Sequence, residues 1–156
     1  YFDGEMSQID KMQDVRDWIA ASAPGTFDVA ITNAIANIRT GGANSLVNLY
    51  ANWDYHKNVA DTYGYDFIMY EGGTHTIVPE AFWEEFREFY TALNYSPEMA
   101  EVYRDVMDHW EEIGGISFNV FVEITYPSRH GFWGGLKYLG DDNVKWDTIR
   151  ERIVTV

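Results

Sequence analysis

Two strand-like segments joined by a long helical stretch set the strongest limit on the fold of this chain. Residues 65–71 form a short apolar run between Gly64 and Gly72, and residues 116–124 alternate apolar and polar side chains. Two segments with helical spacing lie between them. Strands joined by such a crossover pair in parallel, and the connection is right-handed in nearly all cases. The sequence therefore predicts an α/β fold with two parallel strands.

Helical spacing dominates the rest of the chain, with Ser45 and Ser96 as expected N-caps. Amphipathic patterns predict helices at residues 10–21, 28–40, 45–64, 78–93, 96–114 and 145–154. A short strand at residues 27–31 is the alternative to the start of the second helix. Two strands are too little sheet for a complete doubly wound domain or barrel. We therefore expect residues 1–156 to form a single unit that is part of a larger sheet.

Charge excludes two classes of partner. The chain has 25 acidic and 11 basic residues, a net charge of −14 and a pI near 4.4. Nucleic acid and anionic membrane surfaces would repel such a domain, and its apolar runs are far shorter than a membrane span requires. Because there is no cysteine, a disulfide framework, a thiolate nucleophile and a cysteine-based zinc site are also excluded.

Aromatic residues are unusually abundant. Six Trp, eleven Tyr and nine Phe make up 17% of the chain. Trp and Tyr combine a flat apolar face with a polar group, which suits sugar rings as well as protein partners. Packing in the core is the alternative explanation for most of them. We expect some of these rings to lie at a surface.

Glu71 is the leading catalytic candidate. It ends the first strand and precedes two glycines, so its carboxylate would stand at the C-terminal end of a parallel strand, where α/β folds bind their ligands. The glycines let the backbone turn tightly and approach a substrate. His75 follows four residues later, within reach of the same cleft.

Three segments resemble the retaining glycoside hydrolases of the large (β/α)8 clan called clan A. Residues 70–75 (Tyr-Glu-Gly-Gly-Thr-His) look like the nucleophile segment at the end of the seventh barrel strand. Residues 1–4 (Tyr-Phe-Asp-Gly) resemble the end of the sixth strand, where such enzymes often place a Tyr. Residues 118–121 and 132–136 are similar to the eighth strand and its Trp-bearing loop.

The resemblance implies a partial (β/α)8 TIM-type barrel, comprising its last two to three β/α units and rich in helix. It implies Glu71 as nucleophile with Tyr1 and His75 beside it. It further implies substrate contacts from these residues: Trp133, Asn119, Tyr70 and Phe2. The expected activity is retaining hydrolysis of a polysaccharide or oligosaccharide.

A retaining mechanism needs a second carboxylic acid. One ionised carboxylate attacks the anomeric carbon, and another, about 5–5.5 Å away, protonates the leaving oxygen. In the clan this acid follows an Asn at the end of the fourth strand, and no Asn-Glu pair exists in the chain. Asp66 lies at the wrong end of its strand and Glu123 has no supporting motif. We therefore expect a C-terminal fragment whose acid/base residue lies upstream of Tyr1.

No cofactor or metal is expected. Glu71 and His75 have the spacing of a helical metal pair, but the intervening glycines oppose a helix. Residues 141–143 and Asp147 lack the spacing of a dedicated calcium loop and fit a polar turn.

Two other classes of function remain open. One is a non-catalytic domain that binds carbohydrate or protein through exposed aromatic residues. The other is an interaction or structural protein whose acidic surface only confers solubility. The expected partner is a carbohydrate, with a homo-oligomer as a way to cover open sheet edges. An extracellular or periplasmic location is expected because polysaccharides are found there.

Overall fold

Six helices and one small parallel sheet make up residues 1–153, which are the residues described by the computed structural model. Two short 3₁₀ turns, Ile9–Lys11 and Glu80–Phe82, precede the first and fourth helices. In chain order the elements are α1 (Met12–Ala21), α2 (Asp28–Thr40), α3 (Leu46–Tyr63), β1 (Ile68–Gly72), α4 (Trp83–Asn94), α5 (Pro97–Glu112), β2 (Ser117–Val120) and α6 (Val144–Arg150).

The sheet pairs β1 with β2 in parallel, as the sequence predicts. Ile68 lies opposite Ser117, Met69 opposite Phe118, and Gly72 opposite Val120. One extra residue on β1 between Met69 and Gly72 forms an irregularity of the bulge type. Helices α4 and α5 form the crossover between the strands, so the mixed α/β class is confirmed.

The alternating pattern of residues 116–124 continues beyond β2, but the residues after β2 pair with a different segment of the chain. The Phe121 amide still donates to the Gly72 carbonyl, at 2.9 Å. Beyond it, the Gly135 amide donates to the Val122 carbonyl at 2.9 Å, and Leu136 to Glu123 at 2.8 Å. The predicted strand is therefore too long, because its second half pairs with the loop at residues 135–136 rather than with β1.

A third chain segment joins the other edge of β1. Phe2 forms a parallel bridge with Thr74, in which the Phe2 amide donates to the Gly73 carbonyl at 3.1 Å. The His75 amide in turn donates to the Phe2 carbonyl at 2.9 Å. These two bonds hold Tyr1 beside the segment that follows Glu71.

The core lies between the helices and one face of the sheet. The α4 and α5 stripes are buried, and Tyr90 and Tyr103 are completely enclosed. Phe118 of β2 packs edge-on against Trp53 and Trp110, with ring centroids 6.0 and 5.8 Å away. Core packing therefore explains many of the aromatic residues.

The opposite face of the sheet is open among the described residues. Ile68, Tyr70 and Ile116 are 60%, 79% and 66% exposed. Ile68 and Tyr70 alternate along β1 with half-buried Met69, and the exposed residues of β2 alternate with half-buried Phe118, whereas Ile116 precedes β2. The sheet thus has one covered face and one apolar face without a partner in residues 1–153.

Several details of the helix predictions need correction. Ser96 caps α5 by accepting a bond from the Met99 amide, but the Ser45 hydroxyl does not cap α3 and donates instead to the Gly42 carbonyl, at 2.9 Å. Residues 28–40 are helical throughout, so the alternative strand at 27–31 is wrong. Helix α6 ends at Arg150, short of the predicted end at Val154, which lies outside the described residues. Among residues 1–153 no helix combines the length and apolarity that crossing a bilayer needs.

Candidate active site at the end of strand β1

Five side chains meet where β1 ends, and we refer to them as the Glu71 site: Tyr1, Glu71, His75, Phe121 and Trp133. The Tyr1 hydroxyl donates a short hydrogen bond to Oε2 of Glu71. The Tyr1 and His75 ring centroids lie 5.0 Å apart, and the Trp133 ring stacks on His75 at 5.8 Å. Phe121 completes the cluster, 6.2 Å from Tyr1 and 5.5 Å from Trp133. One carboxylate therefore stands among four aromatic rings.

The two glycines after Glu71 let the backbone pack closely and turn at the end of β1. A Cβ atom on Gly72 would lie 2.4 Å from the Phe118 ring, which covers β1 from below. Gly73 has a φ of +140°, a conformation that residues with side chains rarely adopt. The Gly-Gly pair thus lets the chain turn from the strand end toward His75 while it stays in contact with the core.

Two ring nitrogens of the site lack a partner. Nδ1 of His75 and Nε1 of Trp133 are buried and form no hydrogen bond within the described residues. Buried polar groups are nearly always paired, with protein, water or ligand.

The Tyr1 phenol is a neutral donor at physiological pH. Desolvation, followed by the hydrogen bond to Glu71, raises the pKa of Tyr1 to about 12. A neutral O–H on one carboxylate oxygen fixes the orientation of the Glu71 side chain. The other oxygen, Oε1, is left for contact with a substrate.

Asp3 and Asn44 adjoin the Glu71 site, although the sequence did not predict either of them as a site residue. They line a cavity of about 110 Å³ together with Tyr1, Phe2 and His75. Asp3 is only 5% exposed and accepts a bond from the Glu5 amide, at 2.9 Å. Asp3 lies within the Tyr-Phe-Asp-Gly segment, which was a usable signal, whereas Asn44 follows two glycines in a loop with no motif.

The structure brings together some of the predicted site residues and not others. Tyr1, Glu71, His75 and Trp133 share one cluster. Phe2 is 1% exposed and its ring packs against Tyr103 at 5.9 Å, so its side chain belongs to the core.

Tyr70 and Asn119 lie elsewhere on the sheet. Both are exposed, and they alternate with the strand residues that face the helices. Asn119 lines a groove along the β2 edge with Ile149 and Arg152. We therefore place these two residues outside the Glu71 site in residues 1–153.

Neither Asp66 nor Glu123 supplies the Glu71 site with a second acid, whereas Asp3 is a carboxylate in the adjoining cavity. Asp66 and Glu123 are both exposed and make no side-chain hydrogen bond there to Glu71 or Tyr1. Among the same residues no three metal-ligating side chains cluster closely enough to hold a metal ion. The chemistry that residues 1–153 can offer is that of one oriented carboxylate in an aromatic cleft.

Comparison with known proteins adds no assignment. The chain matches no protein-family model, no curated protein and no solved structure. The geometry of the Glu71 site and the resemblance of its segments are therefore the basis on which a function can be proposed.

The Tyr1–Glu71 bond yields a prediction that rests on the hydrolase function proposed below and is tested in a polypeptide extended upstream of Tyr1. Tyr1→Phe removes the hydroxyl while keeping the ring against His75. We expect kcat/KM on an aryl glycoside to fall roughly 10- to 100-fold, the range for a hydrogen bond to a charged group. Steady-state kinetics measure it, with the exposed Tyr126→Phe as control. Unchanged kinetics in Tyr1→Phe would contradict a role for this bond.

Proposed function

We propose that this chain is the C-terminal part of a (β/α)8 retaining glycoside hydrolase and that Glu71 is its nucleophile. The observation that carries the proposal is the Glu71 carboxylate, oriented by the Tyr1 phenol at the C-terminal end of a parallel strand, with the Tyr1 ring beside His75 and the His75 ring stacked on Trp133. Carboxylates in this position are available to ligands in barrels of this type. Aromatic rings beside it match the apolar faces of a sugar.

The strand order supports the barrel half of the proposal. The segment at Phe2, then β1, then β2 lie side by side and parallel, in chain order. Consecutive strands of a (β/α)8 barrel have this arrangement, with helices covering the outer face. In the complete barrel, the open face that carries Ile68 and Tyr70 would turn inward.

The proposed reaction follows from the oriented carboxylate. Oε1 of Glu71 would attack the anomeric carbon as the bond to the leaving oxygen breaks, which forms a covalent glycosyl ester. A second carboxylic acid, from residues upstream of Tyr1, would give its proton to the leaving oxygen and then take one from the attacking water. Tyr1 would hold the other oxygen of Glu71 throughout, and Trp133 would support the sugar ring.

Covalent trapping tests the proposal. A longer polypeptide that includes the sequence upstream of Tyr1 is incubated with 2-deoxy-2-fluoro glycosyl fluorides, and the label is mapped by peptide mass spectrometry. We expect one glycosyl group, attached to Glu71, and none in Glu71→Gln. A label on any other residue would overturn the assignment of the nucleophile.

A non-catalytic carbohydrate-binding domain is the second candidate. Exposed rings favour it, because six tyrosines on the surface are 56–79% exposed: Tyr55, Tyr63, Tyr65, Tyr70, Tyr126 and Tyr138. Titration of the 156-residue chain with oligosaccharides, followed by NMR, locates any binding. Binding at these tyrosines, together with no covalent labelling of the longer polypeptide, would favour this candidate over the hydrolase.

A further inference from the structure

Lys145 of α6 is a buried cation without an acidic partner. Its side chain is completely enclosed, and burial is the sole cause that shifts its pKa. Nζ donates to three neutral oxygens: Oδ1 of Asn94 at 2.9 Å, the Gly134 carbonyl at 3.0 Å and the Trp133 carbonyl at 3.2 Å. The ammonium group thus uses all three of its donors on groups next to the Glu71 site.

The Lys145 ammonium group links the two loops that build the Glu71 site. Asn94 accepts from the Thr74 hydroxyl and donates to the Gly134 carbonyl, each at 3.4 Å. Tyr103 accepts from the Thr74 amide at 3.1 Å, and its ring lies 4.7 Å from Nζ of Lys145. Thr74 precedes His75, and Gly134 follows Trp133. The network therefore connects the backbone next to the two stacked rings, His75 and Trp133.

We propose that Lys145 is a positioning residue, whose ammonium group holds the Trp133 loop against the Thr74–His75 segment and so sets the stacking of Trp133 on His75. The orientation of these rings is a property of the folded chain alone. Its meaning for catalysis rests on the proposed function of Glu71.

The protonation of Lys145 should control this arrangement near neutral pH. Burial lowers the pKa of Lys145 to about 7. A neutral amine has two donors and one lone pair, so on deprotonation one of the three oxygens loses its donor and faces a lone pair. We expect the Trp133 loop to shift as the proton leaves.

The ionisable and charged groups around Lys145 come from several elements. From α5 and the residue after α4, Tyr103 and Tyr95 have pKa values raised by burial and stay neutral. From the loop before α6, Lys137 lies 4.9 Å from the Tyr95 ring and pairs with Asp141. Asn94 and Thr74 carry no charge. His75 is a further ionisable side chain near the loop, because its ring stacks on Trp133.

NMR titration of the full 156-residue chain tests the inference. Lysine side chains are labelled with ¹³C and tryptophan indoles with ¹⁵N, and the signals of Lys145 and Trp133 are assigned with Lys145→Met and Trp133→Phe. We expect both signals to titrate with one midpoint between pH 6 and 8, consistent with a pKa of about 7. Independent midpoints, or a Trp133 signal that does not titrate, would overturn the proposal.

Two variants separate positioning from other effects. Asn94→Asp places a carboxylate against Nζ, which should raise both midpoints by roughly 1–3 pH units, and it keeps the test valid if Lys145→Met fails to fold. His75→Phe should leave the shared midpoint of the Lys145 and Trp133 signals unchanged. If the Trp133 signal no longer titrates in this variant, that signal reports on His75, and the proposal is overturned. Lys137→Met is the matched control, since it removes the other cation over the Tyr95 ring, one that pairs with Asp141 and makes no bond to the Trp133 or Gly134 carbonyl, and we expect no change in either midpoint.

The outcome is separate from that of covalent trapping. Coupled midpoints without a label on Glu71 would leave Lys145 as a positioning residue and reject the hydrolase. A label on Glu71 with uncoupled midpoints would support the hydrolase and reject the role of Lys145.

Discussion

Glu71→Gln should, on the proposed hydrolase function, lower glycoside hydrolysis by a polypeptide extended upstream of Tyr1 on the order of 10⁴-fold or more, the scale on which removing one member of a catalytic constellation acts. An amide oxygen is a poor nucleophile, so the covalent intermediate would not form. Glu71 is half-buried, and its one side-chain hydrogen bond in the described residues comes from Tyr1. The fold should therefore survive, and kcat on an aryl glycoside together with thermal unfolding measures both effects.

Two controls make that result specific. Glu123→Gln changes an exposed carboxylate on the chain segment after β2 and should leave kcat within about twofold, since surface changes seldom act at a distance. The 156-residue chain by itself should hydrolyse the substrate negligibly, because general acid catalysis alone contributes about 10²–10⁴-fold. Robust turnover by this isolated chain would show that its chemistry is self-contained and that the partial-barrel proposal is wrong.

Local pattern was sufficient to predict the elements that position the site. The apolar run before Gly72 and the alternation after Gly115 mark the two strands, and the helical crossover between them dictates parallel pairing. Each of these signals lies within a few consecutive residues. The position of Glu71 at a strand end followed from the same local reading.

The orientation of individual side chains could not be read from the pattern. The irregularity between Met69 and Gly72 changes which face the following residue presents. Phe2 and Tyr1 are adjacent in sequence, yet the bridge to Thr74 turns Phe2 into the core and leaves Tyr1 against Glu71. These outcomes depend on contacts between residues about 70 positions apart, as in the Tyr1–Glu71 bond.

The burial of Lys145 was even harder to predict from the sequence pattern than these side-chain orientations. In the sequence it is a lysine near the start of an amphipathic helix, a position that normally faces water. Its burial results from three oxygens that come from α4 and from the loop before α6, which no periodicity brings together. A buried polar network of this kind becomes visible only when the tertiary contacts are known.

Burial of Lys145 should make the folded chain more stable in mildly alkaline solution than at neutral pH. Its pKa is about 7 when folded and near 10.5 when unfolded, so between these values the unfolded chain binds more protons and the free energy of unfolding rises with pH. The slope is at most about 1.4 kcal/mol per pH unit. Above pH 10 the trend should reverse, because the pKa of Tyr50 is raised to about 12 and those of Tyr90 and Tyr103 are raised as well.

Urea unfolding of the 156-residue chain at pH 7, 8 and 9 measures this slope. In Lys145→Met no amine remains to bind a proton on unfolding, so the rise contributed by this residue should vanish whatever the absolute stability of the variant. Lys137→Met removes an equal charge from a side chain that is 31% exposed and paired with Asp141, and it should keep the wild-type slope. Parallel slopes in the wild type and Lys145→Met would mean that Lys145 keeps its proton in the folded state, since a protonated lysine in both states contributes no pH dependence.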